Sequence, residues 1–81
     1  MLLEILTPEK KIFEGDVTIV TFPGADGSFQ VMDNHAPLIS LLKAGIVSYK
    51  GKDGVNNVGI VGGVVEVLHN KVIVLATGLA A

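Results

Sequence analysis

The sequence predicts an all-β fold, a two-sheet antiparallel β-sandwich of about ten short strands with no substantial helix. Short runs rich in valine and isoleucine alternate with glycine, proline, asparagine and aspartate along the whole chain. No window of roughly ten or more residues carries apolar residues at helical spacing. The 81 residues contain no internal repeat or linker, so residues 1–81 are predicted to form one domain around a single core.

The predicted strands follow the β-branched runs in chain order. The second run is too long for one straight strand, so a bend is expected near Gly15. The runs are residues 2–6, 11–22, 28–31, 38–42, 46–50, 57–61, 64–69 and 71–76.

Glycine and Asx residues predict the connections between these strands. Residues 23–27 form a loop whose two glycines tolerate positive φ. Asp53-Gly54 favours a type I′ turn and therefore a hairpin. His69-Asn70-Lys71 is short enough for a second hairpin. Gly62-Gly63 interrupts a strand pattern, where a bulge or a close approach of two backbones is expected.

The last strand carries more apolar residues than one buried face requires. Val72 and Val74 share one face, and Ile73 and Leu75 share the other. No predicted helix is available to cover the second face. Either a partner covers an exposed apolar patch, or the sheet closes into a barrel with uneven alternation. The partner interpretation is favoured, and both remain open.

Composition excludes several classes of function. Net charge is −2 and arginine is absent, which argues against nucleic acid as a partner. With no cysteine, neither disulfides nor a thiolate zinc site can form. No run reaches the roughly 18–20 apolar residues that span a bilayer. The charges of the N-terminal segment follow its apolar residues, unlike a signal peptide, so a cytosolic or cytosol-facing chain is expected.

No motif for catalysis or cofactor binding stands out. Serine, histidine and aspartate are present, but no nucleophile-elbow motif accompanies them. His35 and His69 lie in distant segments without metal-ligand spacing, and the glycines after position 50 open no helix that could bind phosphate. Lys52 lies at a predicted hairpin tip but lacks the flanking residues of biotinyl or lipoyl carriers, which favours a solvated turn residue. No catalytic, metal or cofactor site is therefore predicted.

The segment Asp33-Asn34-His35-Ala36-Pro37 is the one polar cluster that needs an explanation. Asp33 and Asn34 favour an Asx turn. Pro37 lacks an N–H group and holds Ala36 extended. The segment is predicted to be a stiff loop, either a docking loop or a structural turn, and a histidine favours docking.

Five short segments occur in a fixed order along nearly the whole chain. Together they resemble the epsilon subunit family of rotary ATP synthases, which corresponds to the delta subunit of the mitochondrial enzyme. The segments are a Glu-x-x-x-Phe-x-Gly-like stretch at 9–15, a glycine-led strand ending in His-Ala-Pro-Leu at 27–38, Leu-x-x-Gly at 42–45, Gly-Gly-Val-Val-Glu-Val at 62–67 and an Asn-x-Val-x-Val-Leu-Ala run at 70–76.

The resemblance implies a non-catalytic β-sandwich at the foot of the central stalk, which binds the gamma subunit and the ring of membrane c subunits and couples ion flow to ATP synthesis. It implies no cofactor and no small-molecule substrate. It also implies a peripheral location on the cytoplasmic face of the inner (plasma) membrane. The expected c-ring contacts are Gly24, Ala25, Asp26, Gly27 and Ser28, and the expected gamma-subunit contacts are His35, Ala36, Pro37 and Leu38.

Three departures from the family pattern qualify the resemblance. Asp33-Asn34 replaces the usual Pro-Gly, and Thr77 replaces a common aspartate. Most bacterial members continue into an inhibitory helical hairpin, whereas this sequence stops at Ala81, so a coupling subunit without that arm is expected. The alternative function is a free-standing small β-domain of carrier or ligand-binding type.

Overall fold

The computed structural model describes residues 1–80, and in that range it contains seven strands and no helix. The predicted all-β class is therefore confirmed. The strands are β1 (Leu2–Leu6), β2 (Lys11–Asp16), β3 (Ile19–Gly24), β4 (Gly27–Met32), β5 (Leu38–Gly51), β6 (Gly54–Leu68) and β7 (Lys71–Ala76).

All seven strands belong to one hydrogen-bonded sheet in the order β2-β1-β7-β6-β5-β3-β4. Neighbouring strands run antiparallel except β1 and β7, which are parallel. The sheet is not closed, because β2 and β4 are its two edges. Barrel-like closure, the alternative explanation for the apolar last strand, is therefore not what this chain adopts.

Two long strands explain why fewer strands are present than predicted. β5 and β6 each join two predicted strands, and their pairing continues through Gly45, which lies opposite Ile60. Counting each long strand twice gives nine segments from seven strands. The predicted strand 11–22 instead divides into β2 and β3, because Val17 donates to the Met1 carbonyl and Thr18 to the Lys50 carbonyl. The break thus falls after the glycine where a bend was expected.

A bend in β5 and β6 turns the single sheet into two packed layers. In β6 the buried positions change from Ile60 to Val65 and Val67, so the inward side of the strand reverses between them. Gly62 and Gly63 lie at this reversal with φ of 155° and 156°. A Cβ on Gly63 would lie 2.4 Å from the Leu75 carbonyl oxygen, which explains the glycine pair predicted to mark a close backbone approach.

The two layers enclose one core with no buried polar side chain among the described residues. The first layer contains β2, β1 and β7 with residues 62–68 and 38–43, and the second contains β3 and β4 with residues 54–60 and 45–51. The rings of Phe13 in the first layer and Tyr49 in the second lie 4.5 Å apart between centroids. The core residues are Leu3, Ile5, Val17, Val20, Phe22, Val31, Leu42, Val47, Tyr49, Ile60, Val65, Val67, Val72, Val74 and Ala76.

Both predicted hairpins form, but the type I′ geometry belongs to the second. His69 and Asn70 both have positive φ, 52° and 59°, as a type I′ turn requires. In the other hairpin Gly51 pairs with Gly54, so the central residues are 52 and 53, and of the turn residues only Gly54 has positive φ. The type I′ prediction for Asp53-Gly54 was wrong because the turn begins one residue earlier.

Candidate functional site

The outer face of the first layer carries an apolar row that crosses four strands. Leu6 pairs with Leu75, Leu75 with Val64, and Val64 with Leu41. Leu41 is 68% exposed and Leu75 50%. The next row of the same face joins Ile39, Glu66, Ile73 and Glu4, and Ile39 is 73% exposed. We term this set the apolar face, and it consists of Leu6, Ile39, Leu41, Val64, Leu68, Ile73 and Leu75.

The outer face of the second layer has a different character. Its central row joins Gln30, Thr21, Ser48 and Asn57 across four strands. The Gln30 side-chain amide donates to the Thr21 hydroxyl at 3.3 Å. Exposed apolar residues also lie on this face, namely Met32, Ile46 and Val55, but the polar row separates Ile46 from the other two. The apolar residues are therefore more contiguous on the outer face of the first layer than on that of the second.

Charged side chains border the apolar face on its β1–β2 side. Glu4 lies 3.4 Å from the Lys11 ammonium and 4.0 Å from that of Lys71. Lys11 also donates to Glu14. That bond is the main reason why the pKa of Lys11 is raised and the pKa of Glu14 is lowered. An apolar centre with a polar border is the usual layout of a protein-binding surface.

The loop that contains His35 connects β4 to β5 and is fixed to the β6–β7 turn. Asn34 has φ of 61°, and its N–H donates to the Asn70 side-chain oxygen at 2.8 Å. The His35 N–H donates to the Met32 carbonyl at 3.1 Å. His35 is half-buried, whereas Ala36 and Pro37 are exposed. The loop is thus the predicted stiff turn, and it leads directly into Ile39 of the apolar face.

Asp33 anchors the start of this loop. Its carboxylate lies 2.9 Å from the N-terminal ammonium of Met1, which also donates to the Val17 carbonyl at 3.1 Å. The hydrogen bond from the N-terminal ammonium, followed by one from Asn70, lowers the pKa of Asp33. The two residues that replace the family's Pro-Gly therefore hold the loop by side-chain and backbone hydrogen bonds.

The second predicted contact segment forms the tight turn between β3 and β4. Gly24 pairs with Gly27, and a Cβ on Gly24 would lie 2.5 Å from the Gly27 carbonyl oxygen. Gly24 is buried, while the other four residues of the segment, from Ala25 to Ser28, are exposed. The Ala25 N–H donates to the Leu41 carbonyl at 2.9 Å. This turn therefore borders the apolar face as well.

The two predicted contact segments lie at opposite ends of β4. Both also reach β5, which is one of the strands of the apolar face. One segment ends at Leu38 and the other bonds to Leu41, three residues further along β5, which is roughly 10 Å. Sequence reasoning missed Ile39 and Leu41, which lie between them. Residues 38–42 are apolar except for Ser40, so the sequence did not show which side of this strand faces the core.

The two histidines of the chain lie in neighbouring segments of the fold. The hydrogen bond between Asn34 and Asn70 brings the segments of His35 and His69 together, although the sequence places them far apart. Within residues 1–80, no three histidine, cysteine or acidic side chains are grouped to hold a metal ion. No helix in that range is long and apolar enough to cross a membrane.

Solved structures of low sequence identity share this fold. A chain of the central stalk and c-ring of Tetrahymena thermophila mitochondrial ATP synthase superposes with a TM-score of 0.83 at 18% identity, covering 99% of this chain and 65% of that one. A chain of the Euglena gracilis mitochondrial ATP synthase OSCP/F1/c-ring structure gives 0.90 at 19% identity, covering 99% and 52%.

Closer sequence relatives come from bacteria. The ATP synthase epsilon chain of Campylobacter fetus subsp. fetus is 48% identical over 77 residues, covering 94% of this chain and 60% of the relative. That of Sulfurimonas denitrificans is 48% identical over 80 residues, covering 98% and 62%. That of Chlorobium limicola is 47% identical over 74 residues, covering 90% and 84%. This chain thus spans about 60% of the first two relatives.

One family matches nearly the entire chain. Its description is "ATP synthase, Delta/Epsilon chain, beta-sandwich domain", and the match covers residues 1–80. It agrees with the fold, with the bacterial relatives and with the five sequence segments that first indicated it. The chain belongs to the family of the ATP synthase delta/epsilon chain β-sandwich domain.

Proposed function

We propose that this chain is a non-catalytic rotor subunit of F-type ATP synthase that joins the gamma subunit to the ring of membrane c subunits. In that role it couples ion translocation to ATP synthesis and performs no reaction itself. The observation that carries the proposal is the apolar row that crosses four strands of the first layer, whereas a polar row crosses the centre of the outer face of the second. A contiguous exposed apolar surface is typical of a protein–protein interface.

Covering this face would stabilise a complex appreciably. Fully burying an exposed leucine or isoleucine side chain contributes roughly 1.5–3 kcal/mol. Ile39 and Leu41 keep 73% and 68% of their surface exposed in the isolated chain, so most of that contribution is still available. We assign the gamma subunit as the partner that covers them, because the loop of His35 leads directly into this part of β5.

The two loops are assigned to different partners. His35, Ala36, Pro37 and Leu38 contact the gamma subunit beside the apolar face, and the turn of Gly24, Ala25, Asp26, Gly27 and Ser28 contacts the c-ring. The positions of the two segments at opposite ends of β4 favour this division. A protein that joins two partners needs two separate contact regions on a rigid body. The short turn and the hydrogen-bonded loop both provide that rigidity.

The identity of the relatives supports the setting proposed for this role. The bacterial relatives are epsilon chains of ATP synthase, and the structural neighbours belong to central-stalk and c-ring assemblies. We place the chain at the cytoplasmic face of the inner (plasma) membrane, held there peripherally by the complex. It binds no cofactor or small-molecule substrate in this role.

Calorimetric titration of this chain with purified gamma subunit from the same organism tests the proposal. The expected result is a stoichiometric complex whose heat capacity of binding is negative, because apolar surface is buried. Absence of a complex at high micromolar concentration of both proteins would contradict it. In that case the chain would return to the class of free-standing small β-domains, of carrier or ligand-binding type.

A further inference from the structure

Glu66 is a charged residue in the middle of the apolar face. Its neighbours on the adjacent strands are Ile39 on β5 and Ile73 on β7. Its neighbours along β6 on the same face are Val64 and Leu68, because alternate residues of a strand share one side. Apolar side chains therefore surround Glu66 on four sides, and Glu66 itself is exposed.

The Glu66 carboxylate has no ionic partner among residues 1–80. Lys71 lies diagonally across from it in the sheet, and both residues line a shallow depression of about 260 Å³ together with His69. Neither basic side chain lies within 4.0 Å of the Glu66 carboxylate, and the Lys71 ammonium lies 4.0 Å from Glu4 instead. The charges at this border sum to zero without Glu66, and they belong to Glu4, Lys11, Glu14 and Lys71. The charge of Glu66 is therefore uncompensated.

A partner that covers the apolar face also covers Glu66. Neighbouring strands are about 5 Å apart, so Ile39 and Ile73 lie about 10 Å from each other with Glu66 between them. A surface that packs on both isoleucines removes water from the carboxylate as well. An unpaired carboxylate opposes such burial strongly, whereas charge-assisted hydrogen bonds from a basic side chain offset the loss of water.

We propose that the gamma subunit places a basic side chain, lysine or arginine, against Glu66 at the centre of the apolar face. This inference rests on the function proposed above, in which the gamma subunit covers that face. The ion pair fixes how the two subunits are aligned, because apolar contacts tolerate sliding and a desolvated charge does not. Glu66 is thus a residue that determines specificity for the partner.

Binding kinetics on immobilised gamma subunit test this ion pair. Glu66→Gln keeps the size of the side chain and removes its charge. It is expected to raise the dissociation constant about 10–100-fold, mainly through a faster dissociation rate. Glu66→Leu extends the apolar face but leaves the basic side chain of the gamma subunit unpaired, so it is expected to weaken binding at least as much. Thermal unfolding of the free chain should change little in both variants, because Glu66 is exposed and forms no ion pair within residues 1–80.

Asp53→Asn is the matched control. Asp53 is an exposed carboxylate in the β5–β6 hairpin, outside the apolar face, and its replacement changes the net charge by the same amount. Affinity for the gamma subunit should stay within about twofold of the unmodified chain. If the unmodified chain binds and Glu66→Gln binds equally well, or if Glu66→Leu binds more tightly, this inference is overturned while the proposed function stands. If the unmodified chain does not bind the gamma subunit, both are overturned.

Discussion

Replacing Ile39 by serine is the most informative single change in this chain. Ile39 is 73% exposed in the isolated protein, so Ile39→Ser should alter the free energy of unfolding by no more than about 0.5 kcal/mol. If the gamma subunit covers the side chain, the complex loses the corresponding part of roughly 1.5–3 kcal/mol, which is about 1–2 kcal/mol. The dissociation constant should then rise by about 5–30-fold. Calorimetric titration measures that constant, and thermal unfolding of the free chain measures the stability.

Ile46→Ser is the matched control for this change. Ile46 lies on the same strand and is 57% exposed, but on the outer face of the second layer. Its replacement should leave binding to the gamma subunit within about twofold of the unmodified chain, since a side chain outside an interface contributes little to affinity. Equal loss of affinity in both variants, or wild-type affinity in Ile39→Ser, would refute the assignment of the first-layer face.

Three further predictions concern the loop, the bend and acid stability. His35→Ala and Pro37→Gly should each weaken binding to the gamma subunit more than they lower the melting temperature, and equal loss of both would make the loop purely structural. Gly63→Ala should destabilise the free chain by about 2 kcal/mol or more, because φ is 156° and the new Cβ meets the Leu75 carbonyl oxygen; unchanged chemical denaturation would contradict the tight approach. The pKa of Asp33 is lowered by the N-terminal ammonium, so its contribution is fully present above the ordinary value of 3.8 and is lost as pH falls through the lowered pKa. Asp33→Asn should therefore flatten the decline of stability below that pH, and an unchanged acid profile would show that the ion pair has no effect.

The sequence predicted best those features that depend on local pattern. The bounds of β1 and β7 were predicted correctly, because each is a short β-branched run bounded by polar or turn residues. The glycines at 62 and 63 were recognised as a special backbone site. The all-β class followed from the same local signals.

Features that depend on long-range pairing could not be predicted in this way. Gly45 was taken to separate two strands, but its pairing with Ile60 carries β5 through the bend. The parallel pairing of β1 with β7 joins the two ends of the chain and leaves no local trace. The prediction put Gly54 at the centre of the turn, which was wrong. The hairpin register, and not the Asp-Gly pair alone, selects the central residues.

The candidate surface was predicted in part. Apolar residues on both faces of β7 were recognised, and Leu75 is indeed half exposed. Ile39 and Leu41 were missed because the inward side of β5 reverses along its length, so alternation alone cannot show which residues face solvent.

The central claim is that the gamma subunit covers the outer face of the first layer. Methyl cross-saturation from unlabelled gamma subunit to this chain, deuterated and labelled at its isoleucine methyl groups, tests the claim directly. If the gamma subunit covers this face, attenuation is strong at Ile39 and Ile73 and absent at Ile46 on the opposite layer. Attenuation at Ile46 with Ile39 unaffected would contradict it.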